Sequence, residues 1–261
     1  MTSHKDAPAD PARTLALLWG LHPKPGRKGL SIEVIVAAGI DLADSEGLDA
    51  VSMRRIADRL GVGAMSLYTH VPGKTDLFDL MHDAALADLY RDPDEPARTV
   101  GGWRAAMELI AERNWNLYRR HPWMLDLVGS RPVLGPNTTI KYETELRPLE
   151  GIGLTDVEMD SVLTLVITHV IGTARLSAGT PNTTGDSDLT DPQWWDIVGP
   201  ILQRLIDPNK FPVSSRVGAA AGSEHNAAIS PTHALSFGLD RILDGVADLI
   251  THRRTTPEHT P

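Results

Sequence analysis

The sequence predicts an all-α protein, a three-helix head followed by a larger helical body. Two observations carry this. Between residues 52 and 74, two short segments with apolar residues at helical spacing flank a glycine break. From residue 103 onward, apolar positions again recur at helical spacing, punctuated by prolines and glycines. A length of 261 residues suits about two domains. The expected division is a disordered or loosely docked tail over 1–25, the head over 26–75, the body over 76–251 and a C-terminal tail over 252–261.

Taken in order, the N-terminal tail holds Pro8, Pro11 and Pro23, although 15–21, around Trp19, has the composition of a short helix. The first head helix shows Ile32, Ile35, Val36, Gly39, Ile40 and Ala43 on one stripe and stops at Glu46-Gly47-Leu48. In the second, Ser52 is a suitable N-cap, Met53, Ile56, Ala57 and Leu60 face inward, and Arg54, Arg55 and Arg59 lie mostly off that face. Gly61 ends this helix and Val62 packs back. Gly63, Ala64, Met65 and Ser66 open the third, Leu67 and Val71 are its buried contacts, and Pro72-Gly73 stop it.

This is the layout of a helix-turn-helix, whose second helix lies in the DNA major groove. The small Ala64 lets the backbone approach base edges, Met65 suits a thymine methyl group, and Ser66 reaches a base or a phosphate. Arg54, Tyr68, His70 and Lys74 suit phosphate contacts that fix register. On layout alone, an ordinary helical hairpin with a basic solvated face remains open.

Leu60-Gly61-Val62, then Ser66-Leu67-Tyr68-Thr69-His70-Val71, Gly73-Lys74 and Leu77, resemble the DNA-binding domain of the TetR family of transcriptional regulators. The Leu-Tyr-x-His-Val-x-x-Lys run is specific to that family. The resemblance implies double-stranded operator DNA as the partner.

After Lys74 a stripe through Leu77, Leu80 or Met81, Ala84 and Leu89 predicts a lever helix to about Tyr90, broken by 92–96. Further helices are expected over 103–121, 136–152 (with Asn137 near its cap), 155–176, 194–205 (interrupted by Pro200) and 232–251. Residues 179–190 read as a loop and 214–231 as a mobile segment. The run 162–173 is apolar nearly all round and is expected to be buried on several sides. The two long apolar helices can bury each other in a four-helix bundle with a second copy, or pack within one subunit.

The body resembles the ligand-binding domain of tetracycline-repressor-type members through His121-Pro-Trp123, Gly129-Ser-Arg-Pro132, Pro136-Asn137 and the run 237–245. That resemblance implies a homodimer, a small-molecule pocket in each core and release from DNA when the pocket fills. It sets Gly129-Ser-Arg-Pro132 in the pocket wall. Two residues ahead of Gly129, where tetracycline repressors carry a magnesium-binding histidine, this chain has Leu127, so the effector is expected to be metal-free and partly apolar, with no metal site and no cofactor. The pocket candidates are Tyr90, Tyr118, Trp123, Leu127, Arg131, Pro132 and His169. Core packing is the competing role for Tyr118, Trp115 and Trp123, a surface ion pair for Arg131, and a backbone hydrogen bond for His169.

Charge and composition narrow the classes. The formal net charge is −9, yet residues 24–74 carry a net +1, which leaves an acidic body. Orientation on DNA then depends on local charge. Lys24, Arg27 and Lys28 form a short basic arm suited either to DNA or to solvent. The chain has no cysteine, hence no disulfide framework or thiol chemistry. No apolar run is expected to reach a bilayer span, and with no signal-peptide pattern the expected location is cytoplasmic. No metallohydrolase spacing, nucleophile elbow, phosphate loop or dinucleotide fingerprint occurs, and Asp186-Ser-Asp188 reads as a solvated loop. The expectation is a ligand-responsive repressor rather than an enzyme, with a helical enzyme or small-molecule binder carrying an accessory DNA-binding head as the alternative.

Overall fold

The computed structural model describes residues 10–21, 30–129, 131–178 and 191–255. Among them are eleven α-helices and no strand. The head comprises α2 (Ile32–Glu46), α3 (Met53–Leu60) and α4 (Ala64–Tyr68). Ser31 and Ser52 cap α2 and α3, their hydroxyls accepting from Val34 and Arg55 backbone N–H groups at 3.3 Å. Gly61 takes the left-handed conformation (φ 67°, ψ 30°) that ends α3, and the Val62 N–H donates back to the Ala57 carbonyl at 3.0 Å. That closure folds Val62 onto the head and fixes the angle at which α4 leaves.

Helix α5 (Lys74–Ala85) starts six residues after α4 and belongs to both halves. Leu77 and Met81 are fully buried with Ile35, Ile56, Leu67 and Val71 in the head core. Gly39 is where α2 meets α5: an added Cβ there would lie 2.8 Å from Met81 Sδ, so the close crossing depends on the missing side chain. The body contains α6 (Gly102–Arg120), α7 (Pro136–Leu146), α8 (Asp156–Ala178), α9 (Asp191–Leu205), α10 (Pro212–His225) and α11 (Pro231–Thr255). Helix α8 packs against both α6 and α11, around Met107, Ile110, Val166, Val170 and Leu243.

Several expectations need correction. Within the tail expected to be disordered or loosely docked, with a short helix over 15–21, α1 (Pro11–Leu18) starts earlier, is capped by Asp10 and has Thr14 and Leu17 buried where it packs on α5. The segment expected to be mobile forms α10, its many small residues being compatible with a helix started by Pro212. The lever helix ends at Ala85, and residues 86–90 follow in turns. Asn137 does not cap α7; Asp83 of α5 caps it from outside, accepting from the Asn137 and Thr138 backbone N–H groups at 3.3 and 2.9 Å. Helix α8 is not buried all round: Leu165 and Leu176 are exposed, leaving an apolar face uncovered. By length and mean hydropathy (1.4) α8 also reaches the composition of a membrane-crossing helix, contrary to the expected absence of such a run, although it packs on α6 and α11. The basic arm at Lys24, Arg27 and Lys28, the 179–190 loop with Asp186 and Asp188, and Ser130 lie outside the described residues.

Candidate functional site

Two groups of side chains can carry function, one at each end of the path through α5. In the head, the five-residue α4 presents Met65 at 71% exposure and Tyr68 at 39%, with Ala64 and Ser66 partly exposed beside them. Leu67 anchors its inner side. The three arginines of α3 are not equivalent. Arg55 is held by Glu46 at 2.7–2.8 Å and by the Ala50 carbonyl, and Arg59 lies 3.8 Å from Asp41. Arg54 is exposed and makes no ion pair among the described residues, so its charge faces outward unspent. Lys74 sits at the start of α5 with its ammonium 5.1 Å from the Phe78 ring centre. Such stacking holds the stem while leaving the head group accessible.

His70 departs from expectation. It is 6% exposed, and its Nδ1 is buried without a partner among the described residues. A ring so placed is packed mostly into the head, with little of its surface open to a phosphate.

The second group lies in the body, where α6 and α7 meet the chain following α5. Glu145 of α7 is 1% exposed. Its Oε1 accepts from the Tyr90 hydroxyl at 2.6 Å and from Asn114 Nδ2 at 2.7 Å, and its Oε2 accepts from Lys141 Nζ at 2.6 Å. Burial, and then the Glu145 charge, push the Tyr90 and Tyr118 hydroxyls above their ordinary range, so both remain protonated donors at neutral pH. Burial pushes His82 below its ordinary value, with Asp83 opposing the shift. Three buried polar atoms in these same three helices, Asn114 Oδ1, Thr144 Oγ1 and His82 Nδ1, have no partner among the described residues. Buried groups of this kind cost free energy unless something satisfies them. An uncharged molecule bearing hydroxyl or carbonyl groups is what such a set can accept, because Lys141 already balances Glu145.

The structure divides the expected pocket residues. Tyr90 donates to Glu145, and Tyr118 is buried near enough to feel its charge. Trp123 is buried, and its indole N–H donates to Asp44 of α2 at 2.7 Å, alongside His121 Nδ1 at 2.7 Å. It therefore sits at the joint between head and body. Leu127 is half-buried against the core, whereas Arg131 and Pro132 are exposed. His169 meets the Leu235 carbonyl at 3.0 Å where α8 crosses α11. Beside the joint, a groove of about 600 Å³ runs between α2, α5 and α6, lined by Ile40, Ala85, Asp88, Arg113 and Arg120 among others. Head and body thus meet through a clasp and a gap.

Glu145, Asn114 and Asp83 did not stand out in the sequence. The structure shows why: on α7, Ile140 and Tyr142 are exposed while Thr144 and Glu145 are buried, an inversion of the usual preference.

Comparison with known proteins bears on both groups. Residues 35–81 match the family model for bacterial regulatory proteins of the tetR family, and residues 95–250 match that for the tetracyclin repressor-like C-terminal domain. The chain is 40% identical over 249 residues to the HTH-type transcriptional repressor DrrR1 of Streptomyces coeruleorubidus, covering 94% of this chain and 88% of that one. It is 34% identical over 232 residues to the class E tetracycline repressor protein of Escherichia coli, covering 87% and 96% respectively. Among solved structures, the TetR family protein ActR of Streptomyces coelicolor in complex with actinorhodin superposes with a TM-score of 0.67 at 25% identity, over 85% of this chain and 98% of that one.

Proposed function

The chain belongs to the TetR family of transcriptional regulators, and on that premise we propose that it is a homodimeric repressor released from a palindromic operator by a small molecule. The division proposed is a DNA-reading head ending near residue 75 and a ligand-binding, dimer-forming body beyond it. In the head, Ala64, Met65 and Ser66 meet base edges, and Arg54, Tyr68 and Lys74 hold phosphates. Few of these side chains can make bidentate base contacts, so selectivity rests on close fit, apolar contact and DNA shape. Such a protein works in the cytoplasm, where its operator is.

The observation that carries this reading is the continuity of one path. The exposed α4 leads through Lys74 into α5, and the chain leaving α5 ends in the Tyr90 hydroxyl, which donates to buried Glu145. A molecule that exchanges hydrogen bonds with Tyr90, Asn114 and Glu145 moves the end of that path. It lowers operator affinity to the extent that it binds the DNA-free arrangement more tightly. The similarity to ActR, solved with actinorhodin, supports a polycyclic aromatic molecule as the effector class. The polar set around a neutralised Glu145 suits the carbonyl and hydroxyl rim of such a ring system, with no metal or cofactor required.

For the dimer, α8 and α11 pack on each other yet leave Leu165, Leu176, Phe237 and Leu249 exposed, an apolar face suited to a two-fold four-helix bundle.

The test is a fluorescence-anisotropy titration of labelled DNA flanking the protein's own gene, with actinorhodin as the probe. Tryptophan quenching establishes its occupancy. Operator affinity is expected to fall about tenfold or more at saturation, and the dose required to rise in Glu145→Gln. Full occupancy with unchanged operator affinity would overturn release as the mechanism.

A further inference from the structure

Helix α1 has no part in DNA reading or in the polar core, yet its side chains are tied at both ends. Its first turn grips the DNA end of α5. The Thr14 hydroxyl donates to Asp76 Oδ1 at 2.6 Å, and Arg13 Nη2 reaches Asp76 Oδ2 at 3.1 Å. Asp76 is 2% exposed and lies two residues after Lys74, so α1 supplies the partners that let this carboxylate be buried. Leu17, at 3% exposure, seats the helix in the core. At the other end, the Trp19 indole N–H donates to the Leu134 carbonyl at 2.9 Å.

Leu134 belongs to a corner that is itself fastened to α5. Residues 131–135 have no regular secondary structure and lead into α7, whose Asn137 and Thr138 donate through backbone and side chain to Asp83. Gly135 lies so close to the Asp83 carboxylate that a Cβ there would collide with it. Asp76 and Asp83 stand seven residues apart, two turns along the same face of α5. The corner at 134–138 is thus joined to the lever twice, directly through Asp83 and, through α1, to the turn next to the reading helix.

We infer that α1 is a coupling strap, in which Arg13, Thr14 and Trp19 are positioning residues linking the 134–138 corner to the first turn of α5. This rests on the reading above in one respect: that α7, into which the corner leads, carries Glu145 of the effector site. A shift of the corner then pulls on both ends of α5 together, turning a local displacement into a rotation of the head. Without α1 the corner holds only the Asp83 end, and the first turn of α5 is free to follow the head alone.

The test is hydrogen exchange with mass spectrometry on the full chain, with neither DNA nor effector present. Trp19→Phe removes the indole N–H at one end of the strap. It is expected to speed exchange about three- to tenfold at 134–138 and also at 75–79. Thr14→Val, altered at the other end, is expected to speed exchange at 134–138 as well as at 75–79, and Thr14→Ser to restore the original rates. Should Thr14→Val fail to fold, Arg13→Met gives the same readout from the more exposed side. Acceleration confined to the altered end in each variant would overturn the strap. Because neither operator nor effector enters the measurement, cross-talk between the two ends survives even if the core binds no ligand.

Discussion

Glu145 gathers three hydrogen-bond donors on one buried carboxylate. Tyr90→Phe removes one of its three donors while leaving the ring in place, and is expected to cost about 1–3 kcal/mol of stability; urea denaturation measures it. His82 gives a pH signature. Burial depresses its value in the folded chain below the ordinary 6.5. The unfolded chain therefore takes up the proton first as pH falls. Its contribution is fully favourable above about 6.5 and is lost progressively as pH drops toward the depressed folded value. Thermal unfolding at pH 7 and pH 5.5 is expected to show a smaller acid-induced loss in His82→Gln than in the unaltered chain. At this scale the reading head was legible, because Met65, Tyr68 and Arg54 lie on a motif whose inner positions are apolar at helical spacing. The Glu145 cluster was not. Its members are 24 to 55 positions apart, apart from Lys141, and a glutamate four residues after a lysine reads on its own as a solvated helix pair.

Helix caps were legible where the capping residue was local and hidden where it was distant. Ser52 and Gly61 mark both ends of α3 within the sequence itself, and Gly61→Ala is expected to cost about 1 kcal/mol or more, since φ of +67° strains a Cβ. The start of α7 at Pro136 was as expected, but its cap was not: the free N–H groups are satisfied by Asp83, more than fifty positions away, so no local residue announced that partner. Gly135→Ala tests this corner directly. The new Cβ would displace the Asp83 carboxylate, and a loss of about 1–3 kcal/mol is expected by chemical denaturation, with α7 loosened first in hydrogen exchange. The docking of α1 escaped the sequence for a similar reason, its partner Asp76 lying 62 positions beyond Thr14. Helix α10 escaped because small polar residues mark loops as readily as helices.

Across the whole molecule, the proposed function depends on two heads held at one spacing. The apolar faces on α8 and α11 are the proposed means. Leu165→Glu combined with Phe237→Glu is expected to give a monomer in analytical ultracentrifugation, and to weaken operator binding because each half-site must then be held singly. The division of charge fits this dependence: a nearly neutral head on an acidic body gains little from long-range attraction to DNA, so paired, well-fitted heads must supply the affinity. Selection of bound sequences from random duplex DNA, with the full chain and with Met65→Ala, tests the central claim most directly. The account predicts enrichment of a two-fold symmetric site with half-sites about one helical turn apart or a multiple of it. It also predicts a changed base preference at the same positions in both halves for Met65→Ala. Enrichment of no sequence, or of an asymmetric one indifferent to residue 65, would contradict it.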